Sequence, residues 1–370
     1  MDRYIRELQL LKAKSNDRVL PTEETLGLYD LCSNDYLGIN THVKLREEFL
    51  EKYNENFEFS ASSSRLLSKS LKQHLNLEQQ IAHSYQMESA LVFNSGYHAN
   101  MGVLSALPGK KDLIVADKFI HASVIDGAKL SQADFIRYKH LDYIHLEQIL
   151  KRYRSCYEHV FIISESVFSM DGDVADLIRL VDIKERYDCL LYIDEAHALG
   201  VRGARGLGCA EELACASEVD FIVGTMGKAM ASVGAFVACK QIFKDFLINH
   251  SRAFIFSTAL PPINMAWSSF VFEKMQDMTK EREDLKCLSV QFSDLLNTTS
   301  HSHIIPFIIG SNEDAISKSL QLKQHGYHVL PIRYPTVPQG RARLRFSLCA
   351  HMLIDDLKPL QQLLRSASDD

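Results

Sequence analysis

Ile5, Leu8 and Leu11/Leu12 recur at helical spacing, which predicts an amphipathic helix over residues 1–15. A second helix is predicted over 70–87, where Leu71, Leu75, Ile81 and Tyr85 share a face. The pattern then changes to short, nearly continuous apolar runs, each ending in a polar or glycine-bearing loop. They are ALVFNSG (90–96), LIVAD (113–117), VFIISES (160–166), LLYIDEAH (190–197), DFIVGTMGK (220–228) and GAFVAC (234–239). Runs without polar alternation predict strands covered on both faces. Helical stretches lie between several of them, as in LEQILKRYR (146–154) and DLIRLVDIKERY (176–187). This alternation predicts an α/β fold: a mostly parallel central sheet with helices on both faces. After about residue 265 the character changes. A charged helical stretch (270–286) leads to HIIPFIIG, a helix NEDAISKSLQLKQHG closed by Gly326, a strand YHVLPI and then RARLRFSL. That order predicts a smaller α+β domain. The expected division is an N-terminal helix and arm over 1–45, a large domain over 46–270 and a small C-terminal domain over 271–370.

Composition removes several functions. With 41 Lys+Arg against 47 Asp+Glu, the net charge of −6 gives no electrostatic reason to bind nucleic acid. No run of 18 apolar residues exists, so no membrane span is expected. The N-terminal MDRYIRELQLLKAK is charged and lacks the apolar core of a secretion signal. Eight cysteines are scattered without a CxxC pair, which favours a reducing cytoplasm over a disulfide framework. Glycine is scarce, 17 residues in 370, yet eight of these lie between Gly172 and Gly234. Such a cluster predicts close approach of backbone to a ligand.

In a parallel sheet, ligands sit beyond the carboxyl ends of the strands. Asp194 follows the run LLYI, and His197 is three residues further on. LLYIDEAH also resembles an NTPase Walker B element, but the required GxxxxGK[ST] loop is missing. A dinucleotide fingerprint fails because Glu211 stands where its third glycine belongs. No HExxH, spaced Cys/His cluster or GxSxG elbow occurs, so neither a metal site nor a serine nucleophile is indicated. Lys228 lies in GTMGKAMASVG, a poor setting for a solvated ammonium and a good one for an amine nucleophile or base. Thr225 precedes it, among glycines that let backbone N–H groups approach a phosphate. Taken singly, Asp194 could cap a turn and His197 could pack. As an ordered set, a carboxylate, an imidazole, a buried amine and a hydroxyl/glycine cradle match pyridoxal 5′-phosphate (PLP).

Motifs along nearly the whole chain carry a resemblance. They are SNDYLG (33–38), SRLLS (64–68), H-x-x-LE (74–78), SGYHAN (95–100), DKFIHAS (117–123) and SESVFSMDGD (164–173). DEAHALGVRGARGLG (194–208), TMGKA (225–229), FSTALPP (256–262), IRYPTVPQG (332–340) and RARLRFSL (341–348) follow. With them the chain resembles the α-oxoamine synthase family, fold type I PLP enzymes that join an amino acid to an acyl thioester with loss of CO2. The resemblance implies that Lys228 carries the cofactor as a Schiff base and shuttles the α-proton. It implies that Asp194 pairs with the ring nitrogen, His197 with the ring oxygen, and that His121 stacks on the ring face. Gly96, Tyr97, Ser169 and Thr225 are implied to line the cofactor, and Ser257 and Thr258 to reach the phosphate of a partner subunit. Asn34 and Arg345 are implied to take the amino-acid carboxylate, Thr336 to contact substrate, and Arg18 to meet the far end of the acyl group. His98 and Glu165 lie near the expected site.

Plainer readings stand beside these. His121 could cap a helix, Ser169 could be a turn residue, and Arg345 could belong to a solvated ladder with Arg343 and Arg341. The sequence departs from the family at SASSSR (60–65), where relatives often keep glycine, and at AMASVG after Lys228. Within the family, IRYPTVPQGRARLR favours members using L-alanine and a pimeloyl thioester, carried on CoA or a carrier protein. Members using glycine or serine are the alternatives. A non-catalytic scaffold is the alternative of another class, opposed by the joint presence of Asp194 and Lys228. The family also implies a homodimer with shared active sites.

Overall fold

A computed structural model describes residues 1–20, 25–53, 58–69 and 71–365. Ser70, the first residue of the second predicted helix, lies outside them; the helix runs Lys72–Tyr85. The chain divides into two compact units. One holds Leu37–Phe168 and Val174–Arg282; the other holds Met1–Tyr36, Ser169–Asp173 and Glu283–Asp370.

The larger unit is built on seven strands: β1 (Ser89–Phe93), β2 (Leu113–Asp117), β3 (Asp134–Tyr138), β4 (Val160–Glu165), β5 (Leu190–Asp194), β6 (Phe221–Thr225) and β7 (Ala235–Cys239). Their spatial order is β1-β7-β6-β5-β4-β2-β3. Strands β3, β2, β4, β5 and β6 are mutually parallel, while β7 runs antiparallel to both its neighbours. The six runs read from the sequence are all strands. The seventh, β3, escaped notice because it is an edge strand: Asp134 and Arg137 are exposed, and its apolar run is short. Direction is also invisible in a doubly covered run, so nothing in GAFVAC marks β7 as reversed. Leu91, Ile114, Ile163, Tyr192, Val223 and Val237 form part of one continuous core on this sheet.

Helices cover the strands where apolar stripes dictate. In Leu177–Arg186, Leu177, Leu180 and Ile183 are buried, and Asp176 caps the first turn by accepting from Arg179 N at 3.0 Å. Each such side chain contributes roughly 1.5–3 kcal/mol on burial. The charged stretch 270–286 is not one helix but parts of two, Pro262–Gln276 and Thr279–Leu296. Arg282 explains the break. Its guanidinium donates to Met275 O at 2.6 Å and Gln276 O at 2.9 Å, satisfying carbonyls that a continued helix would have used.

In the smaller unit, Ile304–Gly310, Ala342–Ser347 and Pro331–Ile332 form an antiparallel sheet. YHVLPI is therefore not a single strand. Tyr327–His328 pairs instead, in parallel, with Tyr29–Asp30. Between the two pieces, the Ser319 hydroxyl donates to Val329 O at 2.6 Å and Cys32 Sγ accepts from Leu330 N at 3.1 Å, so side chains replace the ladder. The arginine pattern also departs from a solvated ladder: Arg341 is exposed, but Arg343 and Arg345 are buried. Arg343 pairs with Asp171 and donates to Met170 O at 3.3 Å, which ties the segment Ser169–Asp173 into this unit. Helix Asp2–Ala13 buries none of its residues; Tyr4, Ile5, Leu8 and Leu11 are all exposed. Among the described residues, no helix is long and apolar enough to cross a membrane, and all eight cysteines are unpaired. Asp30, Cys32 and His328 bring ligand-type atoms within 4.8 Å of one another, but the Cys32 thiol is pushed up to about 12 by burial and by Asp30, which opposes the thiolate a metal needs.

Candidate active site

The parallel register of β5 and β6 sets Asp194 opposite Val223, two residues before Thr225. Lys228 lies just past the end of β6, and its Nζ is 2.9 Å from His197 Nε2. Asp194 is buried. Its Oδ1 accepts from Ala196 N at 2.9 Å and its Oδ2 from Asn100 Nδ2 at 2.7 Å. Both bonds fix the orientation of the carboxylate.

Gly96 opens helix Gly96–Leu104, whose first N–H groups have no intrahelical partner. Ser95 caps it, accepting from His98 N at 3.2 Å, and the His98 Nδ1 lies 2.9 Å from the same hydroxyl, so His98 belongs to the cap. Thr225 closes the other side. A side chain on Gly96 would meet Thr225 at 3.7 Å, and Gly227 N donates to Thr225 Oγ1 at 3.4 Å. This is a helix N-terminus facing a hydroxyl, a ready anion cradle. Tyr97 is half-exposed, and its hydroxyl donates to the Asp126 carboxylate. Its ring stands edge-on to His121 at 6.5 Å.

His121 does cap a helix: Nδ1 accepts from Ser123 N at 3.3 Å at the start of Ala122–Leu130. The capping reading and the cofactor reading are compatible, because capping uses one nitrogen and leaves the ring face. The ring is open to solvent on one side, yet the protein around it desolvates it enough to hold its pKa below the ordinary value. Asp194 opposes that shift, Lys228 adds to it, and Asp126 opposes it. Thr258 is exposed and bridges Ser64, while its carbonyl accepts from Asn94 Nδ2 at 2.8 Å. Both contacts are made by its backbone. Glu165 is buried at the end of β4, beside Asp194.

In the smaller unit Asn34 and Arg345 come together. Asn34 Oδ1 accepts from Arg345 Nη1 at 3.3 Å and Nη2 at 3.2 Å, so it sits across the guanidinium fork. Arg345 Nε donates to Ser169 O at 2.5 Å and Nη1 to Ser347 Oγ at 2.7 Å. A single Asn34 oxygen thus spans the two terminal nitrogens, the donors that an arginine offers a carboxylate. Arg18 Nη2 donates to Thr336 Oγ1 at 3.4 Å, and both residues are exposed.

Sequence reasoning missed four residues. Asn100, Ser123 and Tyr192 surround Asp194 and His121. The available signal was Asn100 itself, one helical turn after Gly96 in SGYHAN. Glu195, between Asp194 and His197, is the fourth. Its buried carboxylate accepts from Cys209 N at 3.1 Å, Ala210 N at 2.8 Å and the Ser166 hydroxyl. Burial pushes its pKa up to about 7 against those three donors, with Asp194 reinforcing the rise. Gly208 makes room for it: at φ +104°, a Cβ there would lie 2.6 Å from the Glu195 carboxyl carbon. One of the clustered glycines is thus required by a buried carboxylate.

The large-unit residues fit a phosphorylated pyridine aldehyde: an amine, a fixed carboxylate, an imidazole and an anion cradle. Comparison with known proteins agrees. The family model for aminotransferase class I and II matches residues 27–362. A relative from Haemophilus influenzae, provisionally named 8-amino-7-oxononanoate synthase, is 46% identical over 97% of this chain and 98% of its own. One of the same provisional name from Glaesserella parasuis is 47% identical over 97% and 99%. Among solved structures, a serine palmitoyltransferase from S. paucimobilis with a bound PLP–myriocin aldimine is 26% identical, covering 98% and 96%, with a TM-score of 0.88. The 8-amino-7-oxononanoate synthase from Francisella tularensis is 29% identical, covering 91% and 96%, with a TM-score of 0.76.

Proposed function

Because the chain belongs to the aminotransferase class I and II family, we propose that it is a PLP-dependent α-oxoamine synthase that condenses L-alanine with a pimeloyl thioester, on CoA or a carrier protein. The products are 8-amino-7-oxononanoate, CO2 and free thiol, a step of biotin biosynthesis in the cytoplasm. The grouping of Lys228, His197 and Asp194 at the ends of adjacent strands supports the chemistry. The names of relatives at 46–47% identity support the substrates.

PLP bound there supplies an electron sink for negative charge at the amino-acid Cα. Lys228 Nζ would hold the cofactor's aldehyde carbon, and the same amine would take a proton from the amino-acid Cα and return one. Asp194, held by Asn100 and Ala196, would pair with the cofactor's ring nitrogen, a preorganised charge that would strengthen the electron sink. His197 would hydrogen-bond the cofactor's ring oxygen, and His121 would cover a face of its ring. The N–H groups of Gly96 and Tyr97, with Thr225 and Ser169, hold the cofactor, and Thr258 serves the partner's phosphate. Arg345 and Asn34 take the amino-acid carboxylate until it leaves as CO2; Thr336 and Arg18 face the acyl substrate. The Cα–acyl bond forms as the thiol leaves, and the Cα–carboxylate bond then breaks. In this reading residues 46–270 do the cofactor chemistry, and 271–370 with the arm 1–45 recognise substrate. The unburied apolar face of helix Asp2–Ala13 supports a homodimer.

A panel of Gly, L-Ala and L-Ser against acetyl, succinyl, pimeloyl and palmitoyl thioesters, followed by CO2 and product mass, tests this. Turnover is expected with L-Ala and pimeloyl. Turnover with L-Ser and palmitoyl instead would favour the serine palmitoyltransferase reading, which the TM-score of 0.88 keeps as the second choice. A scaffold without chemistry would give no borohydride-fixed PLP adduct on Lys228.

A further inference from the structure

We propose that Asn100 and Ser123 are positioning residues that lock the neutral His121 in a single tautomer, with its proton on Nε2. A buried chain of hydrogen bonds runs from Tyr192 to His121. Tyr192 OH lies 2.5 Å from Asn100 Oδ1. Asn100 Nδ2 lies 2.7 Å from Asp194 Oδ2 and 3.0 Å from Ser123 Oγ. Ser123 Oγ lies 2.7 Å from His121 Nδ1. Asn100, Ser123 and Tyr192 are essentially inaccessible to water.

Asp194 sets the direction of this chain. An ionised carboxylate only accepts, so the Asn100 amide must turn its NH2 toward Asp194. A flipped amide would set oxygen against oxygen there. The Oδ1 then faces Tyr192, whose buried phenol stays protonated and donates. The two amide hydrogens are spent on Asp194 and Ser123. Ser123 Oγ, having accepted from Asn100, has one hydrogen to give, and His121 Nδ1 is its partner. Ser123 N donates to the same Nδ1 at 3.3 Å. Two donors converge on Nδ1, so Nδ1 is an acceptor and the ring proton resides on Nε2. Desolvation favours the neutral ring, as Lys228 does, while Asp194 and Asp126 oppose it.

The consequence is that His121 offers a reactant an N–H rather than a lone pair. It acts as a hydrogen-bond donor beside the cofactor and not as a base. The tautomer follows from the chain Asp194–Asn100–Ser123 together with the Ser123 N–H, and stands without any bound cofactor; only its catalytic meaning rests on the reading given above.

Long-range 1H–15N spectra of the 15N-histidine-labelled full chain, with and without added PLP, test this at pH 7.5. The His121 signals are identified by their loss in His121→Gln. Wild type is expected to show the Nε2–H pattern at His121 in both samples. Ser123→Ala and Asn100→Leu are expected to give a mixture of tautomers, and Ser123→Thr to restore the wild-type pattern. An Nδ1–H or freely exchanging His121 in wild type overturns the proposal, as does an unchanged pattern in both loss variants. Because the first of these needs no variant, misfolding of a variant does not shield the idea. Failure of PLP to bind, with the Nε2–H tautomer intact, would sink the enzyme reading and leave this inference standing.

Discussion

Lys228 Nζ lies 2.9 Å from His197 Nε2, although 31 residues and a whole strand separate them in the chain. The contact makes each side chain a partner of the other before any substrate arrives. His197→Ala should therefore weaken both cofactor retention and turnover. A hydrogen bond to a charged group is worth about 1.5–3 kcal/mol, so kcat/KM should fall on the order of 10- to 100-fold. His197→Asn, which keeps an acceptor, should recover part of that loss. Steady-state kinetics of the three proteins decide it.

Arg345 should not tolerate lysine. Its fork already grips Asn34 Oδ1 with both terminal nitrogens, and a substrate carboxylate needs the same two donors. Arg345→Lys is expected to raise the amino-acid KM by roughly 10- to 100-fold, the worth of one bidentate charged contact. An unchanged KM would remove Arg345 from the substrate site.

Glu195 gives stability a pH dependence of definite sign. An unfolded Glu195 ionises near pH 4.5, while the folded one keeps its proton up to about pH 7. The folded state thus binds more protons in that window, and this group's contribution to stability falls as pH rises from 4.5 to 7. The expected loss is on the order of 3 kcal/mol, levelling above pH 7. Glu195→Gln should flatten that slope, whatever its absolute stability. Urea midpoints measured between pH 5 and 8 on both proteins provide the comparison.

Gly208 and Gly310 separate a clash from a conformational preference. Both have positive φ, but a Cβ at Gly208 would strike Glu195 at 2.6 Å, whereas Gly310 faces open space. Gly310→Ala should cost about 1 kcal/mol for the left-handed backbone. Gly208→Ala should cost that plus at least about 2 kcal/mol of overpacking beside a buried carboxylate. Equal shifts in Tm would contradict the close packing of Gly208 on Glu195.

Ser62 tests the departure from the glycine-bearing pattern at 60–65. It keeps φ +53°, with its N–H donating to Ser60 Oγ at 2.9 Å. The backbone shape that glycine would permit is thus retained by serine at a cost. Ser62→Gly should stabilise the fold by up to about 1 kcal/mol. A destabilised Ser62→Gly would mean that the Ser62 side chain carries more than its backbone conformation costs.

Much of this was legible in the chain. Six apolar runs gave six strands, because a strand covered on both faces must be apolar at every position. Asp194 and Lys228 stood out because charged residues directly after such runs need a reason. The edge strand Asp134–Tyr138 was not legible, since half-exposed residues carry a weaker pattern. The reversal of Ala235–Cys239 was not either, since a buried run reads the same in both directions. Asn100, Ser123 and Glu195 were hidden for a different reason. Polar residues are common in loops and helices, and their significance here comes only from partners 23, 94 and 14 residues away.

The sequence by itself determined the α/β architecture, the family, and the amine, carboxylate and imidazole that its motifs carry. These are properties of residue type and order, and local pattern encodes them. Only the tertiary structure decided which polar atoms meet: that Asn34 fills the fork of Arg345, that Gly208 yields space to Glu195, and that Asp194 orients the donors ending at His121. Hydrogen bonds are made over a few ångströms between residues distant in the chain, and no periodicity along it records them.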